Sequence, residues 1–179
     1  MDIRYLRVAL VLALVLFCAA VFAKTSFKLA SPAFKDKGMI PKKYSAYGDN
    51  ISPPLKWSNV PAKVKTFALI CDDPDAPGGT FVHWVIFNIP ADERELKAAR
   101  PRTVVLPDGV VQGVNDAGEN GYFGPRPPSG THRYFFKLYA LSSKLDLKSD
   151  ATKADLLAAM KGKIIAQTHI MGKYKSPNK

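Results

Sequence analysis

Residues Gly121 to Leu141 read GYFGPRPPSGTHRYFFKLYAL, and the two halves of this stretch obey different rules. Gly121 to Gly130 holds three glycines and three prolines in ten residues. Proline has no N–H for a β-ladder and glycine is backbone-permissive, so this half reads as a shaped loop. From Thr131 onward the pattern alternates. His132, Tyr134, Phe136, Leu138 and Ala140 share one face of a strand, and Thr131, Arg133, Phe135, Lys137 and Tyr139 share the other. His132 therefore stands on a core-directed face, at the end nearest the stiff loop, where polar groups can meet a ligand.

Outward from this stretch the chain keeps the same grain. Between Phe27 and Ile89, turn-forming clusters recur at Ser31-Pro32, Ile40-Pro41, Tyr47 to Asn50, Ser52 to Pro54, Val60-Pro61 and Ala76 to Gly79. Short strands between frequent turns predict a mainly β domain, sandwich-like or barrel-like. Phe67 to Cys71 is a continuous apolar run of the kind found in a strand buried on both faces. Phe81 to Ile89 reads as another strand, with Phe81, His83, Val85, Phe87 and Ile89 on one face. Ala91 to Arg100 reads as a solvated turn or short helical piece, and Pro107 to Asn120 as a loop. Near the C-terminus a short helix is predicted, capped by Ser149 or Asp150, running through Lys161 and stopped by Gly162. A last strand follows over Lys163 to Tyr174, with His169 on its exposed side and uninvolved in any site.

Each of His83 and His132, taken singly, reads as a satisfied core histidine. Together with the acidic, proline-stiffened turn Asp72 to Pro77 they form a constellation that packing does not require. The donors on offer are the imidazoles, the backbone N–H groups of the glycine-rich loop and the Tyr134 hydroxyl, which suit a phosphate or carboxylate. Asp73 and Asp75 oppose such a ligand, since like charges about 4 Å apart repel by about 4 kcal/mol at an effective dielectric near 20. They must either orient the donors or be partly protonated. A hydrolase is the competing reading, through a metal held by His83, His132 and an Asp, or through Ser129 as a nucleophile beside His132. No HExxH or GxSxG string supports it.

Composition bounds the partners. The 179 residues carry a net charge of +11, which favours anionic partners. Nucleic acid is not among those expected, because no binding motif is present and the chain reads as exported. Residues 1–23 hold Arg4 and Arg7, then an unbroken apolar run of 16 residues from Val8 to Ala23. That run is shorter than the roughly 20 residues needed to span a bilayer and ends in Val-x-Ala, so it predicts a signal peptide cleaved before Lys24 and a periplasmic or secreted product. The alternative is an uncleaved anchor. A single domain over residues 24–179 then remains, with Cys71 as its one cysteine and no internal disulfide. The basic tail Lys173, Lys175 and Lys179 allows a weak contact with an anionic membrane surface, and a homodimer stays open.

Three ordered motifs, DDPDAP at Asp72 to Pro77, HWVIFNIP at His83 to Pro90 and GPRPPSGTHRYFFKLYAL at Gly124 to Leu141, resemble the phosphatidylethanolamine-binding protein family, in its bacterial and archaeal Raf kinase inhibitor-like branch. The resemblance covers essentially everything after residue 26. It implies an antiparallel β-sandwich-like fold with short peripheral helices, one of them near the C-terminus. It also implies a small anion-binding pocket formed by Asp73, Asp75, His83, Gly124, Pro125, Pro127, His132 and Tyr134, with Arg126 at a place where relatives vary. On this reading the protein is a non-catalytic binder of phosphate-bearing or other anionic head groups, without cofactor or metal, that modulates a protein partner. Inhibition of a protease or kinase by surface contact is the other reading the family suggests.

Overall fold

The computed structural model describes residues 26–178. The expected signal peptide lies outside the described residues. Two antiparallel sheets form the domain. The smaller consists of β1 (Lys28–Ala30), β2 (Leu55–Ser58) and β5 (Glu95–Leu96), in the order β1-β2-β5. The larger has five strands: β6 (Val111–Gln112), β4 (Phe81–Pro90), β3 (Thr66–Asp73), β7 (Thr131–Leu141) and β8 (Ile164–Lys175), in that spatial order. The mainly β, sandwich-like expectation holds; among the described residues there is one α-helix, α1 (Lys153–Met160), near the C-terminus, and a 3-10 turn at Lys42–Tyr44.

β3 is the centre of the larger sheet and every one of its eight residues is buried. Phe67, Leu69 and Cys71 pack toward Trp57, Leu55, Leu96 and the smaller sheet, whereas Ala68 and Ile70 pack toward Leu156 and Met160 of α1. A strand covered on both faces has no solvent side on which to place polar residues, which is why its sequence is an unbroken apolar run. Cys71 is a buried free thiol whose proton burial holds firmly in place.

β7 alternates as read from the sequence, and β4 does not. Two register shifts interrupt its pairing with β3, one opposite Cys71/Asp72 and one opposite Phe67/Leu69. Each inserts one extra residue in β4, a β-bulge, which turns the following side chains over. Trp84, Ile86 and Ile89 therefore join the core cluster shared with the smaller sheet, and Val85 and Phe87 the cluster under α1. The expected common face of Phe81, His83, Val85, Phe87 and Ile89 is thus corrected. At the second shift Asn88 adopts φ 60°, a left-handed conformation that asparagine tolerates, and its side-chain amide exchanges two hydrogen bonds of 2.9 Å with the backbone of Leu145.

Three smaller expectations change. Ala91 to Arg100 is not wholly solvated, because Glu95 and Leu96 pair with β2 and Leu96 is buried. The loop Pro107 to Asn120 contains β6, whose buried Gln112 takes the indole N–H of Trp84 at 2.9 Å. The helix is capped by Thr152, not Ser149 or Asp150: the Thr152 hydroxyl accepts from the Asp155 N–H while the Asp155 carboxylate accepts from the Thr152 N–H. Gly162, at φ 75°, does end it.

Candidate functional site

The end of β3, the start of β4, the start of β7 and the loop before β7 meet around a pocket of about 320 Å³. Its walls are apolar at Phe81, Phe123, Pro77 and Pro127, and its polar groups include His83, His132, Asp73, Asp116 and Arg126. His83 arrives there because of the first bulge. Cys71 pairs with Trp84 and Asp72 with Val82, so His83 has no partner on β3 and its ring lies edge-on to Tyr134, at 5.1 Å between centroids.

The backbone groups that the bulge withdraws from the ladder are met by the loops. Val82 N–H donates to the Asp116 carboxylate at 2.7 Å, and Val82 C=O accepts from Asp116 N–H at 2.9 Å. Phe123 N–H donates to the His83 carbonyl at 2.8 Å, and the His83 Nδ1 lies 2.7 Å from the Phe123 carbonyl. A carbonyl can only accept, so Nδ1 carries the proton. Burial lowers the pKa of His83 below the usual 6.5, so the free ring is neutral near pH 7 and its Nε2 presents a lone pair.

His132 is fixed in a parallel way. Its Nδ1 lies 2.8 Å from Asp73 Oδ2, a contact buried on both sides. Asp73 Oδ1 accepts from the Asp75 N–H at 2.8 Å. Both oxygens of Asp73 are therefore engaged, which orients His132 on one side and the Asp75 amide on the other. Asp75 turns away. It accepts from Arg133 N–H and Nε at 2.9 Å each and from Nη2 at 2.6 Å, which holds its carboxyl below the ordinary 3.8. It borders a neighbouring shallow depression with Ser129, Gly130, Thr131, His132 and Lys173.

Four of the eight expected residues line the pocket itself: Asp73, His83, Pro127 and His132. Gly124 and Pro125 serve it from behind. The Gly124 N–H donates to Asn50 Oδ1 at 2.7 Å and is not available to a ligand, and the Pro125 carbonyl accepts from Ala46 N–H at 3.0 Å. A Cβ on Gly124 would stand 2.6 Å from the Tyr44 carbonyl oxygen and 2.7 Å from the Ser45 carbonyl carbon, so this glycine is what lets the loop lie against residues 44–46. Tyr134 is fully buried beside His83; among the described residues its hydroxyl has no hydrogen-bond partner, and burial together with the Asp73 carboxylate keeps it protonated.

Arg126 joins the lining as an exposed guanidinium with no ion pair or hydrogen bond among the described residues. The sequence placed it in the loop where relatives vary, with its effect on head-group selectivity open; a charged side chain set between Pro125 and Pro127 is the local mark that could have pointed to it. Ser129 borders the same depression as His132, but no hydrogen bond joins them among the described residues. Nor do any three His, Cys, Asp or Glu side chains there come together in an arrangement that could hold a metal.

Comparison with known proteins adds the lineage. A family model described as phosphatidylethanolamine-binding protein matches residues 30–175. The chain belongs to the phosphatidylethanolamine-binding protein family. Among relatives, it is 54% identical over 147 residues to a UPF0098 protein of Methanothermobacter thermautotrophicus, covering 82% of this chain and 97% of that one. A UPF0098 protein of Aquifex aeolicus is 49% identical over 148 residues, covering 81% and 86%. Two solved members of the family share the fold with a TM-score of 0.78 each. CT736 of Chlamydia trachomatis is 41% identical and covers 84% of this chain and 98% of its own; YbcL of Escherichia coli is 35% identical and covers 83% and 98%.

Proposed function

We propose that this family member is an exported, non-catalytic binder of phosphate-bearing or other anionic head groups, and that the pocket around His83 and His132 is its binding site. The observation that carries the proposal is the state of the two imidazoles. Each has Nδ1 tied to a fixed acceptor, Phe123 C=O or Asp73, so each leaves Nε2 as the remaining group for a ligand. A proton added at Nε2 makes it a charged donor, and at His132 the Asp73 carboxylate stands opposite that charge. Arg126 supplies a permanent cation at the rim.

The ligand and the proton come together. A phosphodiester or carboxylate draws protons onto the imidazoles, whereas a phosphate monoester can bring its own proton as P–OH to the His83 lone pair. Two or three charge-assisted bonds of about 1.5 to 3 kcal/mol each give about millimolar affinity for an isolated head group. Tighter binding draws on the rest of the ligand or on a protein partner, which is how the pocket would modulate a target.

Export is part of the proposal and rests on residues 1–23. Native mass spectrometry of protein taken from its own compartment tests the binding reading. The expected species carries a small phosphorylated or carboxylated adduct that His132→Ala loses, with a melting temperature indifferent to chelator. Stoichiometric zinc, with unfolding on chelation, would replace the binder by a metal-dependent hydrolase.

A further inference from the structure

Asp72 and Asp73 are neighbours on β3 and point to opposite faces of the larger sheet. Asp73 serves the pocket above; Asp72 lies on the far face, in an open groove of about 760 Å³ bordered by β7, β8 and the first turn of α1. Its side chain is 2% exposed, and its Oδ2 accepts from Lys137 Nζ at 2.9 Å and Lys153 Nζ at 2.5 Å. One lysine would neutralise this carboxylate. The second leaves a surplus positive charge, and Lys137 is 37% exposed to whatever enters. Arg133 does not add to the surplus, because Asp75 answers it.

Between these cations lies the partly exposed ring of Phe135. Arg133 Cζ stands 5.9 Å and Lys137 Nζ 5.8 Å from its centroid, and the His169 ring lies 5.9 Å away on β8. The rim carries uncharged hydrogen-bonding groups at Thr80, Gln167 and Thr168.

We propose that this groove binds the carboxylated sugar units of an acidic polysaccharide. A single surplus charge matches a sugar carboxylate, a monoanion, better than a doubly charged phosphate. An aromatic ring flanked by neutral donors and acceptors matches the apolar C–H face and the hydroxyls of a sugar ring. The groove lies on the opposite sheet face from the head-group pocket, so this site does not depend on the function proposed for that pocket.

The test is calorimetric titration of the purified protein at low salt with trigalacturonate, and in parallel with neutral maltotriose and with triglutamate peptide. Trigalacturonate should bind saturably and at least about ten-fold more tightly than either control. Lys137→Gln should weaken it about ten-fold with little change in melting temperature, because Lys153 still pairs Asp72. Phe135→Leu should weaken it by a similar factor while keeping the charges, and decides the matter if Lys137→Gln unfolds. His132→Ala should leave it unchanged. Absence of saturable binding up to about 10 mM, equal binding of maltotriose, equal binding of triglutamate, unaltered binding by both groove variants, or loss of binding in His132→Ala would each overturn the assignment.

Discussion

His83 reaches the pocket only because β4 carries one residue more than β3 at that point. Its place near His132 and the acidic turn was legible in the sequence, but its route there was not. Simple alternation assigns it to the α1 side, and a bulge is decided by what the loops at Asp116 and Phe123 offer to the displaced backbone, which lies far away in sequence. The same holds for proton placement: which nitrogen of His83 carries hydrogen follows from the Phe123 carbonyl, a tertiary contact. Asp75 and Arg126 exchange places at the pocket for a similar reason, since Arg133 captures the one and, among the described residues, no ion pair or hydrogen bond captures the other. Burial depresses the pKa of His83, so the unfolded chain binds more protons than the folded one between 6.5 and the depressed value. Stability contributed by His83 is then present above pH 6.5, falls as pH drops through that window, and levels off below it. Melting curves at pH 7.5, 6.5 and 5.5 should show a steeper loss toward acid in the parent than in His83→Gln; equal slopes would mean that the imidazole is not held neutral.

The loop from Gly121 to Gly130 and the strand that follows were the most legible elements, because proline and glycine chemistry and strict alternation are local properties. The loop's mode of action was less legible. Its amides were expected to face a ligand, yet Gly124 gives its N–H to Asn50 and uses its missing Cβ to lie on Tyr44 and Ser45. Gly124→Ala should therefore act as an overpacking change against unyielding backbone, costing about 1 to 3 kcal/mol in denaturant unfolding and weakening head-group binding through displacement of Pro127. Full retention of both stability and binding would show that the contact with residues 44–46 does not set the loop. The α1 cap was misplaced by two or three residues because several Ser, Thr and Asp side chains compete there, and only Thr152 has an acidic residue three positions on that reaches back to it.

At the scale of the whole molecule, two sheets closing over an apolar centre follow from dense turns and a doubly buried β3. Strand order was not legible, since non-local pairing leaves no local mark. The charge of +11 and residues 1–23 bear on where the protein works. Sequencing the N-terminus of protein made in its own host should find a soluble chain beginning at or near Lys24; a membrane-bound chain with Met1 intact would contradict export. The proposed site brings three strands and one loop together to hold an anion on the Nε2 side of two imidazoles. An NMR titration with dimethyl phosphate, whose single charge is fixed, reads this directly from the histidine ring resonances. Saturable shifts are expected at His83 and His132, with affinity at least about ten-fold lower in His132→Ala. Unmoved His83 and His132 resonances up to about 0.1 M ligand, roughly a hundred times the affinity expected from two or three such bonds, would contradict it.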